Sequence, residues 1–331
     1  MRALLLLSVL GAAAWPLAAG AQSFEGGDWQ VVCDNTRTCR AAGYSVDGSD
    51  MPVSVLLVRA AGGAAAVYGE LQLGTLGDHA AHPASVNLAT GGRTAVAIHV
   101  DKANHAALPP AALQALLRTV LVGGDAVFSS GKASWRVSGI GAAEALQKMD
   151  DVQGRSGRRS ALVRKGGGSD AEAAYPVTAP RVQAAPIAAG PRPGDDALAV
   201  RVLAAIHSSA ECPLLDDGAA QARGRLWHLD ANRLLVTQPC VPGAADGVGG
   251  WWQANLRPPY DARPLTYSGR FDGVASVAGR DPGDCGKVEA WAWNGYRFEQ
   301  TYAAVGGLCR GVKAGGAWEL PTLVTEVVPA N

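Results

Sequence analysis

His79 and His82, in "GDHAAHPAS", stand three residues apart beside Asp78, a set of donors that a metal ion could use. Hydrolytic zinc sites place two histidines on one helix face around a glutamate base and recruit a further ligand. This stretch is a Pro/Ala-rich loop without that helix pattern, so it reads as a polar turn. "DGSD" at 47–50 lacks the alternating acids and the distal glutamate of a calcium loop. Gly166–Gly168, in "KGGGSD", lack the spacing of a phosphate-binding loop. Asp281, Asp284 and Glu289 lie close together in sequence, and glycoside hydrolysis runs on paired carboxylates. Aspartates are also ordinary turn residues, which explains Asp281 and Asp284 more simply. With no GxSxG elbow in the chain, no catalytic residue, metal or cofactor is assigned.

The cysteines carry a firmer message. All six, Cys33, Cys39, Cys212, Cys240, Cys285 and Cys309, follow an amino-terminal stretch with the grammar of an export signal. "MRALLLLSVLGAAAWPLAAGAQ" offers Arg2, an apolar run, a breaker at Pro16 and small residues at Ala19 and Ala21. Cleavage after Ala21 is expected, because the run is shorter than the roughly 20 apolar residues of a spanning helix. No later segment is apolar enough to cross a bilayer. An even cysteine set in an exported chain reads as disulfides. Zinc is the competing reading, without CxxC spacing to support it. The local pairing Cys33–Cys39, Cys212–Cys240 and Cys285–Cys309 is expected, each longer loop contributing about 3 kcal/mol. The compartment is therefore periplasmic or extracellular.

Charge divides the chain. Residues 22–151 hold 9 basic and 12 acidic side chains, and residues 196–331 hold 12 and 14. Neither half has the concentrated basic face of a nucleic-acid binder. Residues 152–195 are basic, 7 against 3, and mix Gly, Ala and Pro with no apolar period, which reads as a linker. "SALVRK" at 160–165 could be a last strand of the preceding domain. The run Arg155, Arg158, Arg159, Arg164 and Lys165 could meet anionic lipid or polysaccharide, or could be simply solvated.

The flanking segments, 22–151 and 196–331, read as two antiparallel β domains, sandwich or partial barrel, with a few short helices. Strand patterns run through 29–33, 38–44, 52–60, 67–73, 84–88, 94–100, 126–130 and 134–138. "LPPAALQALLRTVLVGG" has proline at entry and glycine at exit of a helix, and a second helix is expected over 142–153. The second domain opens on a helix capped by Asp195 or Asp196, then returns to strands.

Twelve aromatic residues of the chain's twenty fall in 196–331. "EAWAWNGYRFEQTY", 289–302, favours a type I′ turn at Asn294-Gly295. That register sets Trp293 opposite Tyr296 and Trp291 opposite Phe298, with all four rings on one face. Each ring buries roughly 150–250 Å², so exposing the ladder would forfeit more than ~10 kcal/mol. Trp291 and Phe298 are therefore expected in the core. Trp293 and Tyr296, beside the turn, are candidates for stacking on a sugar or a partner. Trp251 and Trp252 are adjacent, so at most one can enter a one-sided core. The other would sit at a rim or under the first domain, which makes the pair a further candidate contact.

Two sets of residues carry a family resemblance. "DWQVVCDNTRTC" and "SWRVSGIGAAEALQKMDDVQGR" resemble the invasion-associated locus B group of exported bacterial proteins. "RDPGDCGKVEAWAWNGYRFEQTYAAVGGLCRGV" resembles the carboxy-terminal signature of bacterial domain-of-unknown-function family 1176, with a less glycine-rich opening. The resemblance implies an exported chain with six cysteines and supplies no catalytic residues. Together these readings point to a non-catalytic envelope protein that binds glycan or protein. The alternatives are an envelope hydrolase built on Asp281, Asp284 or Glu289, and a purely structural periplasmic role.

Overall fold

A computed structural model describes residues 21–76, 81–90, 93–187, 192–207, 209–281 and 283–330. The export signal, Asp78 and His79 lie outside the described residues. The fold is mainly β, as expected, in several antiparallel sheets with short helices.

Alternating apolar strands separated by glycine and aspartate turns fold back on one another first. These are β1 (Gln22–Gly26), β2 (Trp29–Cys33), β3 (Cys39–Tyr44), β4 (Val53–Arg59) and β5 (Tyr68–Leu73). β6 (Ser85–Thr90) and β7 (Arg93–His99) leave this sheet, and β8 (His105–Ala107) returns to it. After α1 (Pro110–Val120) come β9 (Ala126–Ser130), β10 (Ala133–Val137) and α2 (Ala142–Val152). The result is a six-stranded sheet, β1-β2-β3-β4-β5-β8, and a four-stranded sheet, β10-β9-β6-β7. Proline starts α1, and its Leu113, Leu116 and Val120 are buried. α2 is preceded by Gly141, whose φ of 87° and contact with the Gly26 carbonyl, 1.8 Å from where a Cβ would be, leave no room for a side chain.

One core lies between these sheets and under both helices, with Trp29, Leu57, Leu71, Phe128, Trp135, Leu116 and Met149 in it. The six-stranded sheet also buries its opposite face. Val32, Ala42, Tyr44, Leu56 and Val58 pack against Val312, Trp318 and Leu320 from far along the chain. Trp318 Nε1 donates to Ser54 Oγ at 2.7 Å, and Arg310 pairs with Asp28 at 2.9 Å. Burial on both faces explains the uninterrupted run "VSVLLV" in β4.

The segment read as a linker is anchored at its start by buried polar groups, while half of residues 152–187 is exposed. Arg59 of β4 pairs with Asp150 of α2 at 2.6 Å, both fully buried. Gln153 joins the pair, accepting from Arg59 Nε at 2.6 Å. Arg155, counted above in a basic cluster, is buried and donates to the Gly62 and Ala65 carbonyls and to Ser160 Oγ. Residues 160–165, the possible last strand, form none. The Asp150 carboxylate takes the N–H groups of Leu162 and Val163 at 2.7 and 3.0 Å, which replaces a ladder with a side-chain anchor. Composition suggested flexibility because it counts apolar residues and is blind to buried charge networks. Further on, β11 (Arg181–Ala184) awaits a partner at the carboxy terminus.

The second half opens on α3 (Asp195–Ala204) and α4 (Gly218–Gln221). Gly194, not an aspartate, caps α3. Asp195 instead accepts the Arg192 N–H at 2.7 Å and faces His228. Eight strands follow as an antiparallel meander in chain order: β12 (Arg225–His228), β13 (Arg233–Gln238), β14 (Gly249–Asn255), β15 (Arg263–Phe271), β16 (Ser276–Arg280), β17 (Lys287–Trp293), β18 (Phe298–Val305) and β19 (Leu320–Val324). β20 (Glu326–Pro329) then pairs in parallel with β11. The three disulfides join the cysteines in the expected local pairs.

Candidate functional site

The aromatic hairpin departs from its expected register. Asn294 Oδ1 accepts the N–H groups of Tyr296 and Arg297 at 2.9 and 2.8 Å, while Asn294 N–H donates to the Arg297 carbonyl at 3.1 Å. This side-chain turn supports a four-residue loop in place of a two-residue type I′ turn. Among its residues only Gly295 has a positive φ, 87°, whereas type I′ needs two. Trp293 therefore pairs with Phe298, their ring centroids 5.6 Å apart, and Trp291 pairs with Gln300.

That shift reverses the expected burial of the two tryptophans. Trp293 is core at 1% exposed, Trp291 and Phe298 are half-buried, and Tyr296 projects from the loop at 72% exposed. The Arg233 guanidinium of β13 lies 5.0 Å from the Trp293 ring centre and 4.9 Å from that of Tyr296. Asp230 holds the other side of that cation at 2.6 Å. The platform is thus occupied by a cation from within the protein, a cation–π stack between β13 and β17.

Trp251 and Trp252 are also buried, at 2% and 1% exposed. The expectation that one must lie at a rim or under the first domain assumed a one-sided core, and the eight-stranded sheet has two. Trp252 packs with α3, the Cys212–Cys240 bridge, Leu234 and Val236. Trp251 packs on the opposite face with Ile187, Leu235, Val277 and Trp293. Each of the pair floors a cleft on its own side.

The cleft on the Trp251 face measures about 590 Å³. Its wall is three aromatic rings from three strands. Trp227 of β12 lies 5.3 Å from Trp251 and 5.2 Å from Phe271 between ring centres, and Trp251 lies 5.8 Å from Phe271. Trp251 donates its indole N–H inward, to the Gly269 carbonyl at 2.9 Å, which fixes the floor. Trp227 and Phe271 are half-buried and present ring surface to the cleft. Arg223, Arg225 and Arg270 line it with two carboxylates, Asp196 and Asp246. Arg270 donates to the Asp246 carbonyl at 2.9 Å, which holds the 244–248 loop against the rim.

Behind Trp227 the strand is anchored. His228 Nε2 lies 3.0 Å from Asp195 Oδ1, and both side chains are buried. Burial pushes the Asp195 carboxyl up, but the Arg192 N–H and the His228 contact outweigh it and hold the group below its ordinary value. This contact ties the first turn of α3 to β12.

The model of the family described as "Protein of unknown function (DUF1176)" matches residues 23–325. The chain belongs to that family. Among solved structures, the DUF1176 chain is similar to invasion associated protein B from Bartonella henselae, at 15% identity and a TM-score of 0.29. That likeness covers 40% of this chain and 99% of the other. No curated protein matches.

Elsewhere in this DUF1176 chain, the remaining sequence candidates have partners within the protein. Asp281 accepts the Lys287 N–H at 3.3 Å, Asp284 accepts that of Gly311, and Glu289 accepts from Gln300 Nε2 at 3.0 Å. None of the three lines either cleft of the eight-stranded sheet. Asp284 lies beside Cys285 and Cys309, whose sulfurs are bonded to each other and so are not thiolate ligands. His82 Nδ1 lies 3.0 Å from Asn104 Oδ1, a contact that fixes a loop. The 166–168 glycines turn the chain back so that Gly168 bridges Arg158.

Sequence reasoning found Trp251 and missed Trp227, Phe271 and the arginines. The available signal was "RLW": Arg225 and Trp227 stand two apart, as the side chains on one side of a strand do.

Proposed function

We propose that this DUF1176 protein is an exported, non-catalytic binding module of the cell envelope, and that its ligand, a glycan, stacks on Trp227 and Phe271. The wall formed by Trp227, Trp251 and Phe271 in a cleft of about 590 Å³ carries the reading. Ligand sites are concave, largely pre-formed and apolar, with a few polar groups that orient the guest. A sugar ring's C–H face stacks on an aromatic face for the same reason that aromatic side chains combine apolar area with fixed geometry. Three disulfides support an oxidising compartment, periplasmic or extracellular, and no helix among the described residues is long and apolar enough to cross a membrane. The same reading takes 22–151 and 196–331 as two units bridged by 152–195.

The test is a titration of the oxidised protein, residues 22–331, with soluble peptidoglycan fragments, followed by tryptophan emission. Saturable quenching or enhancement is expected, abolished by Trp227→Ala with the melting temperature held near that of the parent. A signal that survives Trp227→Ala would move the site elsewhere. No signal with fragments or with periplasmic extract would end the reading.

A further inference from the structure

The two clefts of the eight-stranded sheet are similar in size, about 590 and 560 Å³, and differ in charge. The Trp252 cleft is lined by Ile206, Tyr260, Tyr267, three prolines, His207 and a single carboxylate, Asp261, with neither arginine nor lysine. The Trp251 cleft carries Arg223, Arg225 and Arg270 against Asp196 and Asp246. All three arginine residues are exposed. Among the described residues none of the three takes part in an ion pair. Nine other described arginine residues pair with a carboxylate, Arg40 and Arg59 among them, and as many, such as Arg37, Arg201, Arg257 and Arg297, do not, so it is their place in the aromatic cleft that sets Arg223 and Arg225 apart.

From this contrast we infer that the Trp251 cleft selects an acidic sugar, one bearing a carboxylate or phosphate, with Arg223 and Arg225 as the anion contacts. The inference rests on the binding reading above and adds the ligand's charge to it. Arg225 and Trp227 alternate along β12 and so share one side of it, and Arg223, in the turn that leads into the strand, lines the same cleft. A guanidinium presents a planar fork that matches carboxylate and phosphate in two parallel hydrogen bonds. Arg270 has another task, since its Nη1 is held by the Asp246 carbonyl and braces the loop. The geometry thus assigns the aromatic wall to the ring and the two arginines to its substituent.

Three oligosaccharides of equal length separate the possibilities by calorimetry and tryptophan emission: neutral chitotetraose, tetragalacturonate, and a phosphate-monoester tetrasaccharide. At low salt at least one acidic probe is expected to bind about tenfold or more tightly than chitotetraose, the factor one charge-assisted hydrogen bond supplies. Which acidic probe binds better distinguishes carboxylate from phosphate. Raising the salt to about 0.5 M should narrow the gap, because exposed charges are then screened within a few ångströms. The variant Arg223→Gln/Arg225→Gln should lose the acidic preference yet keep the chitotetraose signal and the parent's melting temperature. Equal affinity for neutral and acidic probes in the parent, or a preference that survives the double variant, overturns the charge assignment and leaves glycan binding standing. Absence of binding to all three probes overturns both.

Discussion

In the six-stranded sheet all seven residues of β4 are buried, whereas in the eight-stranded sheet only Ala292 and Trp293 of the seven in β17 are. The first sheet is covered on one side by the four-stranded sheet and helices and on the other by residues 312–320. Its side chains are consumed by packing, and Arg59 is consumed with them: it pairs with Asp150 and donates to Gln153, which in turn donates to the Arg59 carbonyl. The second sheet buries both faces only in part, and where cover is lacking it leaves aromatic rings at the wall of a cleft. Recognition surfaces belong where hydrophobic surface is held in place without being used up.

The largest test of this contrast is Asp150→Ala. It leaves the Arg59 guanidinium buried without its counter-charge and frees two anchored amides, so urea denaturation should show a loss of about 3–5 kcal/mol. Arg263→Ala, which breaks the exposed pair with Asp261 in the eight-stranded sheet, should leave the midpoint unchanged. Similar midpoints for the two variants would erase the difference between the sheets.

Next in size is the covalent tie. Replacing Cys285 and Cys309 together by serine should lower stability by about 3 kcal/mol, and calorimetry should place most of that loss in the eight-stranded sheet. Equal loss of amide protection in both sheets by hydrogen exchange would show that they unfold as one cooperative unit. Trp318→Phe asks how the two regions are joined. It keeps an aromatic ring, loses part of the indole's volume and removes the hydrogen bond to Ser54, a buried partner, at a cost of about 1–3 kcal/mol for the lost bond and more for the space left, read from thermal unfolding.

The smallest effect is the acid response of Asp195. Its folded pKa lies below the unfolded value of about 3.9, so its contribution is complete above that value and is lost as pH falls through the folded one. The melting temperature should therefore drop between about pH 5 and pH 2, and Asp195→Asn should flatten that part of the curve. An unchanged slope in the variant would remove the His228 contact as the anchor of β12.

The pattern of strands and helices was legible in the sequence because period and punctuation are local. Proline before α1 and alternation in β2 through β5 needed no partner to be read. Disulfide pairing was legible through sequence proximity and parity. The aromatic hairpin was not, since Asn294 chose between two turns of similar local merit and its side chain tipped the choice. That single decision exchanged the burial of Trp291 and Trp293. Likewise the 152–187 segment looked flexible in composition, and its order depends on Asp150 and on Arg155, whose partners are distant in sequence.

The sequence by itself determined the mainly β fold, the three bridges and the concentration of aromatic residues after position 196, because each depends on residue type and short-range spacing. Which ring is core, which lines a cleft and which arginine goes without a carboxylate were decided only by tertiary structure. Those properties belong to pairs brought together across strands: Trp227 meets Phe271, and Arg233 fills the platform of Trp293, only once the meander has folded.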